Sequence, residues 1–218
     1  MKILNYPSSG SYQSLTFSRN RFGQYVRTRA VPVDPSSTFQ QAVRARLATA
    51  AQTWRTLTAT QREGWAALGE QITRNDSLGQ TYSLTGFQCY VQIANNRAAA
   101  GDAVVTDAPA HLPPNPIISV TPTITAASYS VAFTPTPLAA SERIFISASP
   151  QRSAGRLFEG DYRLILVSAA AGTSPTVILA AYIARMVTPV VGNRIFTSVQ
   201  RYLNGFLSNA ISTSTIVV

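Results

Sequence analysis

Ala108-Pro109-Ala110-His111-Leu112-Pro113-Pro114-Asn115-Pro116 divides the chain into two kinds of pattern. Each proline fixes φ and pushes the residue before it out of the helical region, so the segment reads as an extended, semi-rigid link. On this reading residues 1–106 form one domain, 107–122 the linker region, and 117–218 a second domain. Most of the positive charge lies before the link: residues 1–106 carry 11 basic and 5 acidic side chains, whereas residues 107–218 carry 7 and 4.

Upstream of the link the pattern mixes strand and helix. Tyr12 to Phe17 and Gln24 to Arg29 are strand-like runs, and the polar, Gly-ended segment from Ser18 to Gly23 between them predicts a β-hairpin. Ser37 with Gln40, and the overlapping Thr38 with Gln41, have capping-box spacing just after Pro35. From there Phe39, Val43, Leu47, Ala50, Trp54 and Leu57 recur at helical intervals, which predicts one long amphipathic helix. A second capping box, Thr58 with Gln61, opens a helix whose apolar stripe is Trp65, Leu68 and Ile72. After a turn at Asn75–Gly79 and a short strand from Gln80 to Leu84, Thr85 with Gln88 opens a third helix. The three helices are expected to share one small core.

Downstream, helical periodicity gives way to short β-type runs. They lie at Ile117–Ile124, Ser128–Phe133, Arg143–Ser149, Arg163–Ser168, Val177–Ala184 and Asn193–Leu203, with Ile211–Val218 as a last strand. That spacing predicts an antiparallel β-sandwich, and the chain as a whole an α+β protein. Leu164 to Ala184 runs without a charge for 21 residues, close to the ~20 that a membrane helix needs. The turn cluster Ala171-Gly172-Thr173-Ser174-Pro175 interrupts it, so a buried hairpin is expected in place of a membrane span. The apolar run near Met1 is likewise too short for a secretion signal.

Two stretches carry a resemblance. Leu112 to Pro116, then Ser128-Tyr129-Ser130-Val131-Ala132-Phe133-Thr134-Pro135, then Arg194 to Gly205, resemble the opening, the second strand and the penultimate strand of a fibronectin type III-like module, with Phe133 where that family usually places Trp. Arg21-Phe22-Gly23-Gln24-Tyr25-Val26-Arg27, followed by Pro35, the Gln- and Arg-rich helix and the Gln61-Arg62-x-x-Trp65 motif, is similar to small proteins encoded in the structural regions of tailed bacteriophages and prophages. The resemblance implies a component of a virion, assembled in the cytoplasm of a bacterial host.

Composition restricts the chemistry. Only 12% of the residues are charged, about half the share of an average soluble domain, while 45% are hydrophobic. Lys2 is the single lysine, so 17 of the 18 basic residues are arginines, whose planar forks suit carboxylates, phosphates and aromatic faces. With one His, one Cys and nine carboxylates, most metal cages, Cys/His nucleophile pairs and disulfide frameworks are excluded within one chain. The chain contains no Gly-x-Gly-x-x-Gly, no phosphate-binding Gly-Lys-Ser/Thr loop and no Gly-x-Ser-x-Gly elbow. Glu63 and Glu70 lie two helical turns apart and could share a face, but beside Arg62 and Arg74 they read as a solvated charged face with a Glu70–Arg74 pair. Glu159 and Asp161 read as turn residues, His111 as a solvated linker residue, and Cys89 as a small core residue. No catalytic residue, metal ligand or cofactor is assigned.

Two surfaces remain as interface candidates. Arg19, Arg21, Arg27 and Arg29, interleaved with Phe17, Phe22 and Tyr25, suit a protein interface, where Arg and Tyr are enriched. The same residues suit phosphates and stacked bases, which makes nucleic acid the second candidate partner, and a merely solvated hairpin accounts for them as well. At the other end Ile211, Thr213, Thr215 and Val217 belong to an uncharged alternating strand that lacks the Lys, Pro or bulge of a protected edge. It is either an internal strand of its own sandwich or a strand added to a neighbouring subunit. The expected partners are other virion proteins and copies of the chain itself.

Overall fold

Ser37 opens the first helix by the capping box its spacing predicts: its backbone N–H donates to Gln40 Oε1 at 3.2 Å, and Gln40 N–H donates back to Ser37 Oγ at 3.3 Å. The computed structural model of the chain describes residues 9–20, 23–31, 33–34, 36–76 and 78–218. It divides into two units, Met1–Ala42 and Val43–Val218, and the division falls inside the first turns of helix α1 (Thr38–Thr56).

The first unit holds a three-stranded antiparallel sheet in the order β1 (Gly10–Tyr12), β2 (Leu15–Asn20) and β3 (Gly23–Thr28). The expected hairpin is present as β2 and β3, but it is tighter than the sequence suggests, because Asn20 already pairs with Gly23. Tyr12 does not start the first long strand. It ends an additional short one, which the turn at Gln13, with φ of 51°, folds back on β2.

In the second unit α2 (Ala59–Gln71) and α3 (Gly86–Ala100) both begin with the predicted capping boxes, at Thr58 with Gln61 and at Thr85 with Gln88. Between them β4 (Thr73–Asn75) and β5 (Thr81–Ser83) form a two-stranded ribbon whose turn is held by Asp76 Oδ1, which accepts from the N–H groups of Leu78 and Gln80. Arg74 therefore lies on a strand and donates to Gln92 Oε1, so it is not the helical i,i+4 partner of Glu70. The helical core comprises Ala50, Leu57, Trp65, Leu68, Cys89, Tyr90, Ile93 and Ala94. Tyr90 stands between two indoles, 5.5 Å from Trp54 and 5.1 Å from Trp65. The expected apolar stripe of α1 is only partly used: Ala50 and Leu57 are buried, whereas Phe39, Val43 and Leu47 are exposed.

The Pro-rich segment belongs to neither helix nor strand, and the residues that flank it are anchored on both sides. Trp65 Nε1 donates to Thr106 O at 2.7 Å, Gln61 Nε2 donates to Asp107, and Ile117 is buried among strands of the C-terminal half.

Those strands form two antiparallel sheets. One has the order β10 (Thr176–Val177), β7 (Tyr129–Thr134), β6 (Ser119–Ile124). The other runs β12 (Phe206–Leu207), β11 (Arg194–Leu203), β8 (Glu142–Ala148), β9 (Arg163–Val167), with β13 (Ile211–Ile216) also paired to β11. Their inward side chains meet in one core that includes Ile124, Tyr129, Val131, Ile144, Ile146 and Ile195. Alternation along β7, buried at Tyr129, Val131 and Phe133, is the period of two expected of strands solvated on one side.

One expected strand is replaced. Of Val177–Ala184 only Val177 is in a strand, and the run from Leu179 to Arg185 is helix α4. The hairpin expected across Leu164–Ala184 is also absent: β9 pairs with β8, and β10 pairs with β7, so the Gly/Pro turn carries the chain from one sheet to the other. The described residues form four helices, Thr38–Thr56, Ala59–Gln71, Gly86–Ala100 and Leu179–Arg185, and 13 strands, an α+β fold. Among the described residues no helix is long and apolar enough to cross a membrane.

The helical core and the sheets meet at the β11–β12 turn and at the end of α3. Asn96 Nδ2 donates to Gly205 O at 2.8 Å where the β11–β12 turn rests on α3. Arg143 reaches from β8 to Ala100 O and Asp102, and the Tyr202 hydroxyl donates to the other Asp102 oxygen at 2.5 Å.

Candidate functional site

The pleat of the N-terminal sheet decides how its side chains are grouped. Cross-strand pairs share a face, and the register sets Phe17 opposite Val26 and Gly10, and Leu15 opposite Thr28 and Tyr12. One face therefore carries Tyr12, Leu15, Phe17 and Val26, flanked by Arg19 and Gln24. The opposite face carries Ser11, Thr16 and Ser18 beside Tyr25 and Arg27. The arginine–aromatic cluster expected as one surface is thus split. Arg19 belongs to the apolar side with Phe17, Arg27 to the hydroxyl-rich side with Tyr25, and Arg29 follows the end of β3. Arg21 and Phe22 lie outside the described residues.

This sheet is amphipathic, yet none of its described residues is among the buried core. Tyr12 is 69% exposed and Leu15 41%, while Phe17 and Val26 are half-buried. A three-stranded sheet needs a covered apolar face to be stable by itself. Its apolar face stands beside several cations, and Asp34 is the one carboxylate among residues 1–42.

The C-terminal candidate has a different setting. β13 pairs over six positions with β11 of its own chain, from Ile211 opposite Val199 to Ile216 opposite Arg194. Its far side is engaged too: Thr215 Oγ1 donates to Pro122 O at 3.3 Å, and Val218 N–H donates to Ile124 O at 3.1 Å. Val217 is in the core, and Ile211, Thr213 and Thr215 are half-buried. The strand is thus paired to β11 of its own chain along one edge, and its other side lies beside β6.

The carboxylates are dispersed. Glu63 and Glu70 are exposed on α2 and make no ion pair among the described residues. Glu159 is the hub of a loop: its carboxylate accepts from Arg152 Nε and from the N–H groups of Gly160 and Asp161, at 2.9 and 3.0 Å for the last two. Arg152 above all, with the Asp161 N–H next, holds its carboxyl down at about 2, against the opposing effect of burial. Arg156, 3.4 Å from the same carboxylate, also donates to Phe158 O, which fixes the loop and leaves Leu157 and Phe158 projecting into solvent. Glu142 pairs with Arg201 between neighbouring strands, and both side chains are nearly buried.

His111 is not freely solvated: it is half-buried, with its ring 5.5 Å from that of Phe206. Cys89 is fully buried, and burial pushes its thiol up to about 11, which disfavours the reactive thiolate. Tyr129 and Tyr182 are buried with their hydroxyls bonded to Thr197 and to Ser149 O, and desolvation pushes Tyr182 up to about 12. Among the described residues no group of three or more His, Cys, Asp or Glu side chains is placed to hold a metal ion. A cleft of about 280 Å³ lies between α1 and α3, lined by Ala45, Ala50, Ala94, Ala98 and Val104 with Arg46 at its side.

Sequence reasoning placed the arginines on the N-terminal strands but missed β1 and the apolar face. The signal was available, since alternation in Leu15, Phe17 and Arg19 against Gln24, Val26 and Thr28 follows from the pairing once the turn is known. Comparison with protein-family models, with curated proteins and with solved structures finds no match to the chain.

Proposed function

We propose that the chain is a non-enzymatic structural component of a tailed-phage particle, a capsid-decoration, neck or tail protein that acts through protein–protein contacts with other virion proteins and with copies of itself. The observation that carries this reading is the N-terminal sheet, an amphipathic element with no buried residue of its own among those described. Such an element gains stability from a neighbour, and assembly supplies one. The scarcity of charge, 12% of residues, supports the same reading, because large charge-poor surfaces are characteristic of protein interfaces.

The C-terminal half is read as a fibronectin type III-like sandwich. In support, its first, second and fifth strands (β6, β7, β10) lie in one sheet and its third, fourth, sixth and last (β8, β9, β11, β13) in the other. An immunoglobulin constant-type sandwich likewise opposes first, second and fifth strands to third, sixth and seventh, but it keeps its fourth strand with the first group, whereas β9 lies beside β8. Phe133 is buried in the shared core, at the position where the family usually has Trp.

Particles produced with and without the gene test the reading directly. The protein is expected in purified virions, with defective assembly or stability when it is missing. A strictly monomeric protein that never enters particles overturns it. A second reading, a nucleic-acid-binding accessory protein, is favoured by one observation: Tyr25 and Arg27 share a face with the hydroxyls of Thr16 and Ser18, a surface suited to phosphates and stacked bases. That reading requires a salt-dependent mobility shift with single-stranded or duplex DNA, lost in a Tyr25→Ala, Arg27→Ala double variant, and absence of binding at low salt removes it.

A further inference from the structure

β8 ends at Ala148, opposite Arg163 at the start of β9 and Thr197 near the start of β11, so the connections 149–162 and 186–193 leave the same end of the sheet. Gln151 ties them together. Its Nε2 donates to the carbonyls of Val187 and Thr188, and its Oε1 accepts from the Val190 N–H at 2.8 Å. The adjacent Arg152 holds Glu159. From this frame Leu157 and Phe158 stand out 84% and 78% exposed, and Val187, Val190 and Val191 are exposed on the second connection. Single exposed apolar residues are ordinary, but five at one end, two of them consecutive on a fixed loop, form a surface that gains by leaving water.

The loop is built to tolerate that loss of water. The Arg156 N–H donates to Ser153 O at 3.0 Å, Arg156 Nε donates to Phe158 O at 2.7 Å, and the N–H groups of Gly160 and Asp161 end on the Glu159 carboxylate. Backbone groups beside the two apolar side chains are therefore satisfied within the loop, a condition that an apolar surrounding imposes. The conformation is fixed before contact, so docking costs little ordering. Positive charge is in excess around the tip. Residues 149–163 carry three arginines and two carboxylates, and residues 186–193 carry no charge. Glu159 is turned inward with 3% side-chain exposure, and Asp161 is paired to Arg163 at 3.2 Å. Arg156 and Arg163, with side chains about half exposed, form the rim.

We propose that this end of the sandwich docks on an anionic lipid bilayer, with Leu157 and Phe158 inserted among the acyl chains and Arg156 and Arg163 at the headgroup phosphates. This goes beyond the assembly reading and does not rest on it. A protein pocket would have to match two projecting side chains in shape, whereas a bilayer receives any apolar tip. Its headgroups also supply the phosphates that guanidinium forks bind through paired hydrogen bonds.

Flotation of the full chain with vesicles tests the docking. Vesicles of phosphatidylglycerol and phosphatidylcholine in equal parts are expected to carry the natural protein upward. Phosphatidylcholine alone is expected to carry much less, because each cation near an anionic surface adds about fivefold. A Leu157→Ser, Phe158→Ser double variant is expected to bind at least about tenfold more weakly, with unchanged circular dichroism, since both side chains lie outside the core. The net charge of +9 makes that variant the necessary control, because adsorption through arginines elsewhere on the chain would leave both proteins bound alike. Phe158→Trp adds a direct reading, an indole emission that shifts to the blue and is quenched by lipids brominated on the acyl chains, over the constant background of Trp54 and the buried Trp65. Equal flotation of the natural protein and the double variant, flotation of neither, or no lipid quenching of the Phe158→Trp indole overturns the proposal. If vesicles fail and the double variant is instead lost from particles, the tip seats in a protein pocket and the assembly reading stands alone.

Discussion

Gly205 and Ile93 meet so closely that a Cβ built on the glycine would lie 2.5 Å from Ile93 Cγ2. Gly205 has φ of 96° in the β11–β12 turn, and its carbonyl accepts from Asn96 on the same helix. Two requirements therefore coincide at one position, a left-handed backbone and a side-chain-free approach of a strand turn to α3. Gly205→Ala is expected to lower stability by about 2 kcal/mol or more, since overpacking alone costs roughly 1–3 kcal/mol and the positive φ adds to it. Denaturant unfolding of the full chain measures it, and a loss below about 0.5 kcal/mol would show that the turn is not packed as described.

Arg201 and Glu142 join strands β11 and β8 through an ion pair with side-chain exposures of 12% and 10%. Removing one partner leaves the other charge almost buried and uncompensated, and Arg201 Nε is already without a partner there. Glu142→Ala is accordingly expected to cost about 3–5 kcal/mol, the usual range for breaking a buried pair from one side. The Glu142→Ala, Arg201→Met double variant is expected to recover part of that loss, because the orphaned guanidinium is gone. Equal stabilities for the two proteins in urea would refute this account.

The capping boxes at Thr58 and Thr85 give a local measure of how the two helices are fixed. In both, the threonine hydroxyl accepts from the N–H of the glutamine three residues later, at 3.3 Å, and that glutamine side chain returns to the threonine N–H at 3.0 Å. Thr58→Ala and Thr85→Ala are each expected to lower stability by about 1 kcal/mol, and replacement by Ser by much less. Urea midpoints check the order of the three residues at each position.

These caps also show which parts of the fold are legible in the sequence. A capping box needs two residues at a fixed spacing, so Ser37, Thr58 and Thr85 mark their helices without knowledge of the tertiary structure. Helix α4 lacks that signal. Ile178 precedes it without a side-chain cap, and the β-branched Val177, Ile178 and Ile183 resemble a strand, so packing of the buried Tyr182 decides the conformation. The apolar stripe of α1 was correct in period, but periodicity does not say what covers it, and Phe39, Val43 and Leu47 are left exposed. The arginine–aromatic cluster failed as a single surface for a similar reason, since adjacency in sequence places neighbours on opposite faces of a strand. The loop hub at Glu159 was visible only as a turn, because Arg152 reaches it from seven residues away.

Glu159 makes that loop sensitive to acid. Its carboxyl is held down at about 2, below the ordinary value of 4.5, chiefly by the hydrogen bond from Arg152 and next by the Asp161 N–H. A carboxylate with a depressed folded value contributes stability that is complete above its unfolded value and is lost as pH falls through the folded one. The loop is thus expected to be unchanged from pH 7 down to about 4.5 and to loosen progressively toward pH 2. The amide chemical shifts of Gly160 and Asp161, whose N–H groups bond the Glu159 carboxylate, are the measurement. Their midpoint is expected near 2 in the natural protein and well above it in Arg152→Ala, and Glu159→Gln is expected to abolish the titration. A natural-protein midpoint at the ordinary glutamate value would mean that Arg152 does not hold the carboxylate, and the rigid presentation of Leu157 and Phe158 would then lose its basis.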